Sequence, residues 1–339
     1  MPTLAAPPCV GGSEFAPLLR LAKERGLLDR RTGFYVRTIT FNALALAATW
    51  AGVLLSGGSW WVVLLAVPLA VFSGRTAFIG HDAGHQQIAR GRAANRVLGL
   101  IHGDLLLGMG YGWWNDKHNR HHANPNHVDK DPDVEVGALV WTRAQAVQRH
   151  GFARYLAKHQ ARLFFPMLLL EGFALKLATV LDLRRRPPRD RAVEAVLLAA
   201  HLAGYTALLL TAMPVGTAVA FAVLHHALFG LHLGCSFAPN HKGMAMPDGQ
   251  RWGHLRRQVL TSRDVRGGRI TDWLLGGLNY QIEHHLFPSM PRPHLRLAQP
   301  LVREHCRRLG IAYTEAGLVE SYAQALRHMH AVGAPLRAG

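Results

Sequence analysis

The sequence predicts an all-α integral membrane protein with four transmembrane helices arranged as two hairpins, interfacial helices and a cytoplasmic helical cap. Three observations support this fold class. Of the 339 residues, 49% are hydrophobic and 17% are charged, a mixture that fits a chain lying half in a membrane and half in water. Long apolar runs occur in two pairs, and both pairs have basic flanks, as expected for cytoplasmic ends. Histidines cluster in the polar sequence just beyond these runs.

The first hairpin is predicted at residues 39–55 and 60–79, two apolar runs separated by the uncharged turn sequence at 56–59. Each run is close to the ~20 residues that a helix needs to cross a bilayer. Arg75, near the end of the second run, can extend its side chain toward the inner interface. Residues 1–37 become basic toward the first run and lack the features of a signal peptide, which indicates a cytoplasmic N-terminal arm.

The second hairpin is predicted at residues 192–213 and 215–233, with arginines before it and Lys242 after it. Residues 38–339 are expected to form one membrane domain, whose cap comprises 80–190 and 236–339.

Two further apolar stretches, 97–114 and 163–181, are not expected to span singly. An odd number of crossings would put the histidine clusters on opposite faces of the bilayer. Glu171 and Lys176 within the second stretch favour a helix lying in the interface. Spanning as half of an additional pair is the alternative.

The net charge of +17 favours anionic partners such as phospholipid headgroups, phosphorylated substrates and acidic carrier proteins. Because of the apolar runs, membrane lipid is the expected partner and nucleic acid is not. The three cysteines, Cys9, Cys235 and Cys306, are too few and too far apart for a disulfide framework or a four-cysteine iron–sulfur site. Any electrons that the protein uses must therefore come from another molecule.

The histidine clusters are the main functional signal. Residues three and four apart share one face of a helix, so each of three short segments presents a convergent group of side chains. The groups are His81 with His85, His118 with His121 and His122, and Gln281 with His284 and His285.

Seven clustered histidines are enough for two metal ions that each keep an open position, whereas a single zinc needs three or four protein ligands. Imidazole suits iron, copper and zinc alike. The membrane setting favours an oxygen-activating centre, because hydrocarbon offers C–H bonds and nothing to hydrolyse; iron fits best. A metal transporter or a haem-binding membrane protein is the rival from another class, but transporter sites lie near the bilayer midplane.

Three segments carry a family resemblance: HDAGH at 81–85, WWNDKHNRHHANPN at 113–126 and GGLNYQIEHHLFPSMPR at 276–292. In type, order and spacing they resemble the membrane-bound fatty acid desaturases of the histidine-box superfamily, over about residues 30–310. Gln281 stands where many members carry histidine. It resembles the subgroup that includes front-end and bacterial linoleoyl-CoA-type desaturases.

The resemblance implies a di-iron centre and a further ligand just after the fourth membrane helix, where His241 is the candidate. His225, His226 and His232 on that helix are alternatives, with packing or interhelical hydrogen bonding as their other role. The implied ligands are His81, His85, His118, His121, His122, His241, His284 and His285.

Other residues are expected around this centre. Gln281 and Asn240 are predicted to lie beside the metal, and Asp82, Glu283 and Asp272 to orient ligand rings or to act as ordinary surface charges. A narrow apolar substrate tunnel, or simply an interfacial aromatic belt, is predicted from Phe78, Tyr111, Trp113 and Trp114.

The implied reaction removes two hydrogens from adjacent methylene carbons of a fatty acyl chain, with O2 reduced to water. The acyl group can be carried as acyl-lipid, acyl-CoA or acyl carrier protein ester. Because residues 1–37 are too few for a fused cytochrome b5 domain, we expect an external donor such as ferredoxin or cytochrome b5. The arginine-rich segment 251–269 can hold a phosphate-bearing headgroup or an acidic electron carrier, or form a general lipid-facing surface.

Two further expectations concern the exact activity and the location of the protein. A lipid hydroxylase or a carotenoid-modifying oxygenase of the same superfamily is the nearest alternative activity. The composition, rich in alanine, arginine and glycine, favours a bacterial inner membrane with the active site on its cytoplasmic side.

Overall fold

The computed structural model of the chain describes residues 13–56 and 58–337. The described residues are mostly helical. The α-helices are α1 Ala16–Glu24, α2 Thr32–Leu55, α3 Ala66–Gly84, α4 Arg92–Leu100, α5 Tyr111–Ala123, α6 Arg143–Val147, α7 Gly151–Asp182, α8 Pro188–Ala212, α9 Val215–His241, α10 His254–Leu260, α11 Arg269–Leu274, α12 Gln281–Leu286, α13 Arg292–Arg308 and α14 Leu318–Val332.

Short segments of other kinds complete the secondary structure. Two three-residue strands, β1 Asp264–Arg266 and β2 Glu315–Gly317, pair in parallel with Val265 opposite Ala316. Short 3₁₀-helices occupy Trp60–Leu65, Leu183–Arg185 and Ala334–Leu336, and Ile101–Leu105 is a π-helix. The fold is therefore built by helix packing, as the sequence predicts.

Helices cover both predicted hairpins, α2 and α3 the first, α8 and α9 the second. α2, α8 and α9 are longer than their predicted apolar runs, whereas α3 begins later than predicted, at Ala66, after the 3₁₀ segment. α3 continues to Gly84 and so contains the start of the first histidine cluster, and α9 continues to His241. Within the described residues, five helical segments are long and apolar enough to cross a membrane: Thr32–Leu55, Trp60–Gly84, Gly151–Arg185, Pro188–Ala212 and Val215–His241.

The third of these segments, Gly151–Arg185, contains the stretch at 163–181 for which an interfacial helix is predicted. It belongs to α7, a helix of 32 residues. α7 packs against α9 with the two backbones in direct contact. A Cβ added to Gly172 would lie 2.3 Å from the carbonyl oxygen of His226, and one added to Gly230 would lie 2.4 Å from the amide nitrogen of Gly172. Only glycine permits this approach, which sets the position of α9.

The cap packs around α12, the helix of the third histidine cluster. Its apolar core joins α1, α10, α12 and α13 and includes Leu18, Leu255, Ile282 and Leu295. Within the predicted N-terminal arm, residues 1–12 lie outside the described residues, while α1 packs on this core and α2 begins earlier than expected, at Thr32. The third cluster is thus held by helices from both ends of the sequence.

Candidate metal centre

Four segments bring the clustered histidines together on one side of the membrane helices. His81 lies in the last turn of α3 and His85 follows directly after it. α5 carries the second cluster, α12 the third, and His241 is the last residue of α9. The predicted extra histidine after the fourth apolar run therefore joins the group because α9 extends past the run.

The histidines form two sets. In the first set, one ring nitrogen from each of His81, His85, His118 and His284 lies within 4.8 Å of those of the others. In the second set, the same holds for His121, His241 and His285.

His122 lies between the two sets. Its ring stacks on His285 with centroids 4.1 Å apart, and its centroid is 4.5 Å from that of His85. Its Nε2 is 3.1 Å from His118 Nε2. The eight histidines proposed from the sequence are therefore contiguous in space.

Acceptors behind the second set fix its rings. His121 Nδ1 lies 2.9 Å from Asp131 Oδ2, His241 Nδ1 lies 3.0 Å from the carbonyl oxygen of Thr261, and His285 Nδ1 lies 3.0 Å from Gln258 Oε1. Because these oxygens accept, each Nδ1 carries the hydrogen. The Nε2 atoms are then free to donate a lone pair, which is the form that a metal requires.

The chemistry of this donor set fits metal ions. Several ring nitrogens are buried without a hydrogen-bond partner in the described part of the chain: His81 Nε2, His85 Nε2, His122 Nδ1, His284 Nδ1 and Nε2, and His285 Nε2. Buried polar atoms are almost always satisfied, so such a group indicates a bound ion.

The pKa values of the histidine rings also support metal binding. Burial, and then the neighbouring rings, hold the pKa of His85, His118 and His284 well below the usual range. The same causes lower the pKa of His122 and His285. The rings are therefore neutral near pH 7 and able to bind metal.

Gln281 and Asn240 lie at the second set. Gln281 Nε2 is 2.9 Å from His241 Nε2, and Asn240 Nδ2 donates to Gln281 Oε1 over 3.2 Å. Asn240 Nδ2 also donates to the carbonyl oxygens of Ser236 and Leu278. The amide at position 281 is therefore held in place beside His241.

The acidic residues predicted to orient ligand rings divide into two groups. Asp82 contacts His81 Nδ1 at 3.1 Å and pairs with Arg292. Glu283 instead accepts from the Tyr313 hydroxyl at 3.0 Å, and Asp272 accepts from Asn279 at 2.9 Å. In the described residues, only Asp82 of these three reaches a clustered histidine.

Sequence reasoning missed three orienting groups: Asp131, Gln258 and the carbonyl oxygen of Thr261. Asp131 had a usable signal, since it lies in the acidic turn sequence HVDKDPD just after the second cluster. Its carboxylate also accepts from the backbone amides of Asn126 and Asp133 at 2.7 and 2.9 Å. Gln258 and Thr261 have no local pattern that marks them.

An apolar cavity reaches His81 from the membrane side. Of the four predicted tunnel residues, Tyr111 and Trp114 line it, and Trp114 also stacks on His118 with centroids 4.5 Å apart. Phe78 is not in the lining but belongs to the buried core that includes Leu107 and Leu233, and Trp113 is half-buried outside the lining. The remaining lining residues are Ala77, Gly80, Gly103, Leu107, Met109, Leu233 and Phe237.

The alternative ligands on α9 make other contacts. His225 bridges Ser73 and Tyr205 at 3.1 and 2.9 Å, which joins α3, α8 and α9. His226 and His232 each contact a backbone carbonyl oxygen at 2.8 Å, those of Ala222 and Leu274. These contacts fit the packing and hydrogen-bonding role.

A helical membrane-type fold with clustered histidines beside an apolar cavity is the architecture of a membrane oxidoreductase, and the family comparison agrees. The family model described as fatty acid desaturase matches residues 58–317. The chain belongs to the fatty acid desaturase family.

Individual relatives are front-end and acyl-lipid desaturases. The chain is 30% identical to Delta(8)-fatty-acid desaturase 2 of Arabidopsis thaliana over 335 residues, 91% of this chain and 72% of the relative. It is 28% identical to an acyl-lipid (9-3)-desaturase of Physcomitrium patens over 94% of this chain and 62% of the relative. It is also 28% identical to Delta(5) fatty acid desaturase fat-4 of Caenorhabditis elegans over 88% of this chain and 69% of the relative. These relatives are eukaryotic, so they give the predicted bacterial inner membrane no support.

Proposed function

We propose that this chain introduces a double bond into a fatty acyl chain at a di-iron centre. The observation that carries the proposal is the pair of adjacent histidine sets, rich in partnerless nitrogens, at the end of an apolar cavity. The residues proposed to hold the iron ions are His81, His85, His118, His121, His122, His241, His284 and His285, with Gln281 and Asn240 beside them.

The two sets suggest how the ligands are shared. His81, His85, His118 and His284 would hold one ion, and His121, His241 and His285 the other. His122, between the sets, completes the second. Imidazole donors suit iron and zinc alike, and iron is favoured because the family reaction is an oxidation and zinc has no redox chemistry.

Bound iron supplies the oxygen-activating chemistry. The residues of the chain position the substrate and keep water away from it. The cavity holds methylene groups next to His81, and its apolar lining excludes water. Trp114, which lines the cavity and stacks on His118, fixes the wall at the reacting carbons. A bound chain is thereby presented at one carbon–carbon bond among many that are chemically equivalent.

We further propose four crossings of the membrane rather than five. His121 Nε2 and His241 Nε2 are 3.3 Å apart, so the chain between them must begin and end on one side. α8 and α9 provide the pair of crossings, and α7 then has both ends on the histidine side. By the basic flanks, that side is the cytoplasmic one, and residues 38–339 form a single membrane domain.

Expression in a host that lacks the new double bond tests the proposal. Gas chromatography–mass spectrometry of the host's fatty esters should show a new unsaturated product, and elemental analysis of the purified protein should show two iron ions per chain. Supplying the same fatty acyl group as acyl-lipid, as acyl-CoA and as acyl carrier protein ester then shows which of the three carriers the protein accepts. Hydroxylated lipid alone, bound zinc, or a haem absorption band would contradict the proposal.

A further inference from the structure

We propose that a basic pocket at the cytoplasmic surface is the docking site for an acidic one-electron carrier protein. The inference rests on the proposed function, because the reaction needs electrons that the chain does not store. The pocket lies between the loop after α5 and the segment leading into α10. Its lining residues are Asn124, Pro125, His127, Lys130, Pro247, Gln250, Arg251, Trp252 and Arg257.

The charge and composition of this pocket suit a negatively charged protein partner. Lys130, Arg251 and Arg257 line it, and the described lining includes no carboxylate. Trp252 is half-buried at the same place, while Lys130 and Arg251 are exposed. Tryptophan and arginine are the residues most enriched in the energetic centres of protein interfaces. Complementary charge also speeds the encounter of two proteins.

Hydrogen bonds connect the pocket directly to the second histidine set. Arg257 donates to the carbonyl oxygen of Ala123 at 2.8 Å, at the end of α5. The next residue, Gln258, donates to the carbonyl oxygen of His122 at 2.9 Å and accepts from His285 Nδ1 at 3.0 Å. A carrier bound in the pocket would therefore be one side chain away from two clustered histidines.

The helix that makes this connection is held firmly. Arg256 pairs with Glu14 through hydrogen bonds of 2.8 and 2.9 Å, and the His254 ring packs edge-on against Phe15 with centroids 4.7 Å apart. A fixed α10 keeps the distance from the pocket to His285 constant, which electron transfer requires.

The position of the pocket favours an electron carrier over the headgroup of the substrate. The acyl cavity meets α5 at Trp114, whereas the pocket contains Asn124, the residue that follows the end of α5. Ten residues of helix rise about 15 Å. The two openings therefore lie at opposite ends of α5, with the histidine sets between them.

The electron balance requires such a partner. Reduction of O2 to two molecules of water takes four electrons and four protons. Loss of two hydrogens from adjacent methylene groups supplies two electrons and two protons, and forms the double bond. The remaining two electrons come one at a time from two reduced carrier molecules, and the remaining two protons come from water.

The test compares a protein donor with a small one. Turnover of the purified, iron-loaded protein is measured with dithionite, and with whichever of reduced ferredoxin and soluble cytochrome b5 supports turnover. In Lys130→Gln/Arg251→Gln protein, the ratio of carrier-driven to dithionite-driven turnover at low carrier concentration should fall on the order of tenfold. Its dependence on ionic strength should also weaken.

A matched variant, Arg184→Gln/Arg185→Gln, removes the same charge from exposed positions next to Arg186, which contacts the first half of α5 at Asp116, and should leave the ratio unchanged. An equal fall of the ratio in both variants would show that the loss of positive charge at any position causes the effect, and would overturn the docking site. So would an unchanged ratio, a raised KM for the acyl substrate with either reductant, or failure of both carriers where dithionite succeeds. Absence of desaturation with dithionite as well would instead overturn the proposed function, and the docking site with it.

Discussion

The two histidine sets have the same chemical groups and different surroundings. In the second set, Asp131, Gln258 and the carbonyl oxygen of Thr261 each hold one ring from behind. In the first set, both nitrogens of His284 and the Nε2 atoms of His81 and His85 have no partner among the described residues. The first set lies at the apolar cavity, which His81 lines, and the buried second set contacts α10 through Gln258.

The difference teaches that the protein holds every ring of the second set from behind, whereas in the first set Asp82 holds His81 and the ring of His284 has no partner among the described residues. Hydrogen bonds from behind a ring fix its tautomer and direction before any ion arrives. A ring without such bonds gains its order from the ion. We therefore expect the second set to resist the loss of ions better, and the first set to respond more to ligand and substrate.

The largest effect is expected from His284→Ala. Its ring belongs to the first set and lies 4.7 Å, between centroids, from both His81 and His122. Removing it should abolish the new double bond and lower the iron content, measured by fatty ester and elemental analysis. His330→Ala, an exposed histidine far along α14, is the control and should be fully active. An active His284→Ala enzyme would disprove the assignment of the metal site.

Asp131→Asn tests the second set. The carboxylate holds His121 Nδ1 and two backbone amides, so an amide in its place loses at least one acceptor. Loss of such an orienting partner typically costs about 10- to 100-fold in activity or metal affinity. Rates and iron affinity should fall by that order, while Asp129→Asn, exposed in the same loop, should behave as wild type. Equal behaviour of the two variants would refute the orienting role.

Leu107→Ala tests the cavity beside the first set. Leu107 lines it, whereas the neighbouring Leu106 is exposed and lies outside that lining. A deeper cavity should favour a longer acyl chain, shifting the ratio of rates for two chain lengths by about three- to tenfold. Competition between two acyl substrates of different length measures the ratio. An identical response of Leu106→Ala would show that the cavity does not hold the chain.

The smallest effect is expected from Gln281→His. The amide nitrogen of Gln281 is already 2.9 Å from His241 Nε2, and an imidazole at that position can make a comparable contact. Turnover should stay within about threefold of wild type, given the modest net value of one hydrogen bond. A complete loss of turnover, with the iron content unchanged, would mean that Gln281 has a more direct part in the reaction.

Local patterns in the sequence predicted much of the fold and most of the site. Apolar runs and basic flanks gave both hairpins, and histidine spacing gave seven of the proposed ligands. The extent of α7 was not predictable, because its contact with α9 depends on glycines that are 58 positions apart, at 172 and 230. Asp131 was within reach of a local pattern, but Gln258 and Thr261 act through contacts across 20 to 136 residues of chain. The partners behind the rings are therefore a product of tertiary packing.

The close crossing of α7 and α9 also bears on how damaging alleles of this gene would present. A methyl group at Gly172 or Gly230 forces two backbones apart, and α9 carries His241 at its end. We expect such an allele to shift His241 relative to His121 and His285, and therefore to lower the iron content of the protein by loss at the second set.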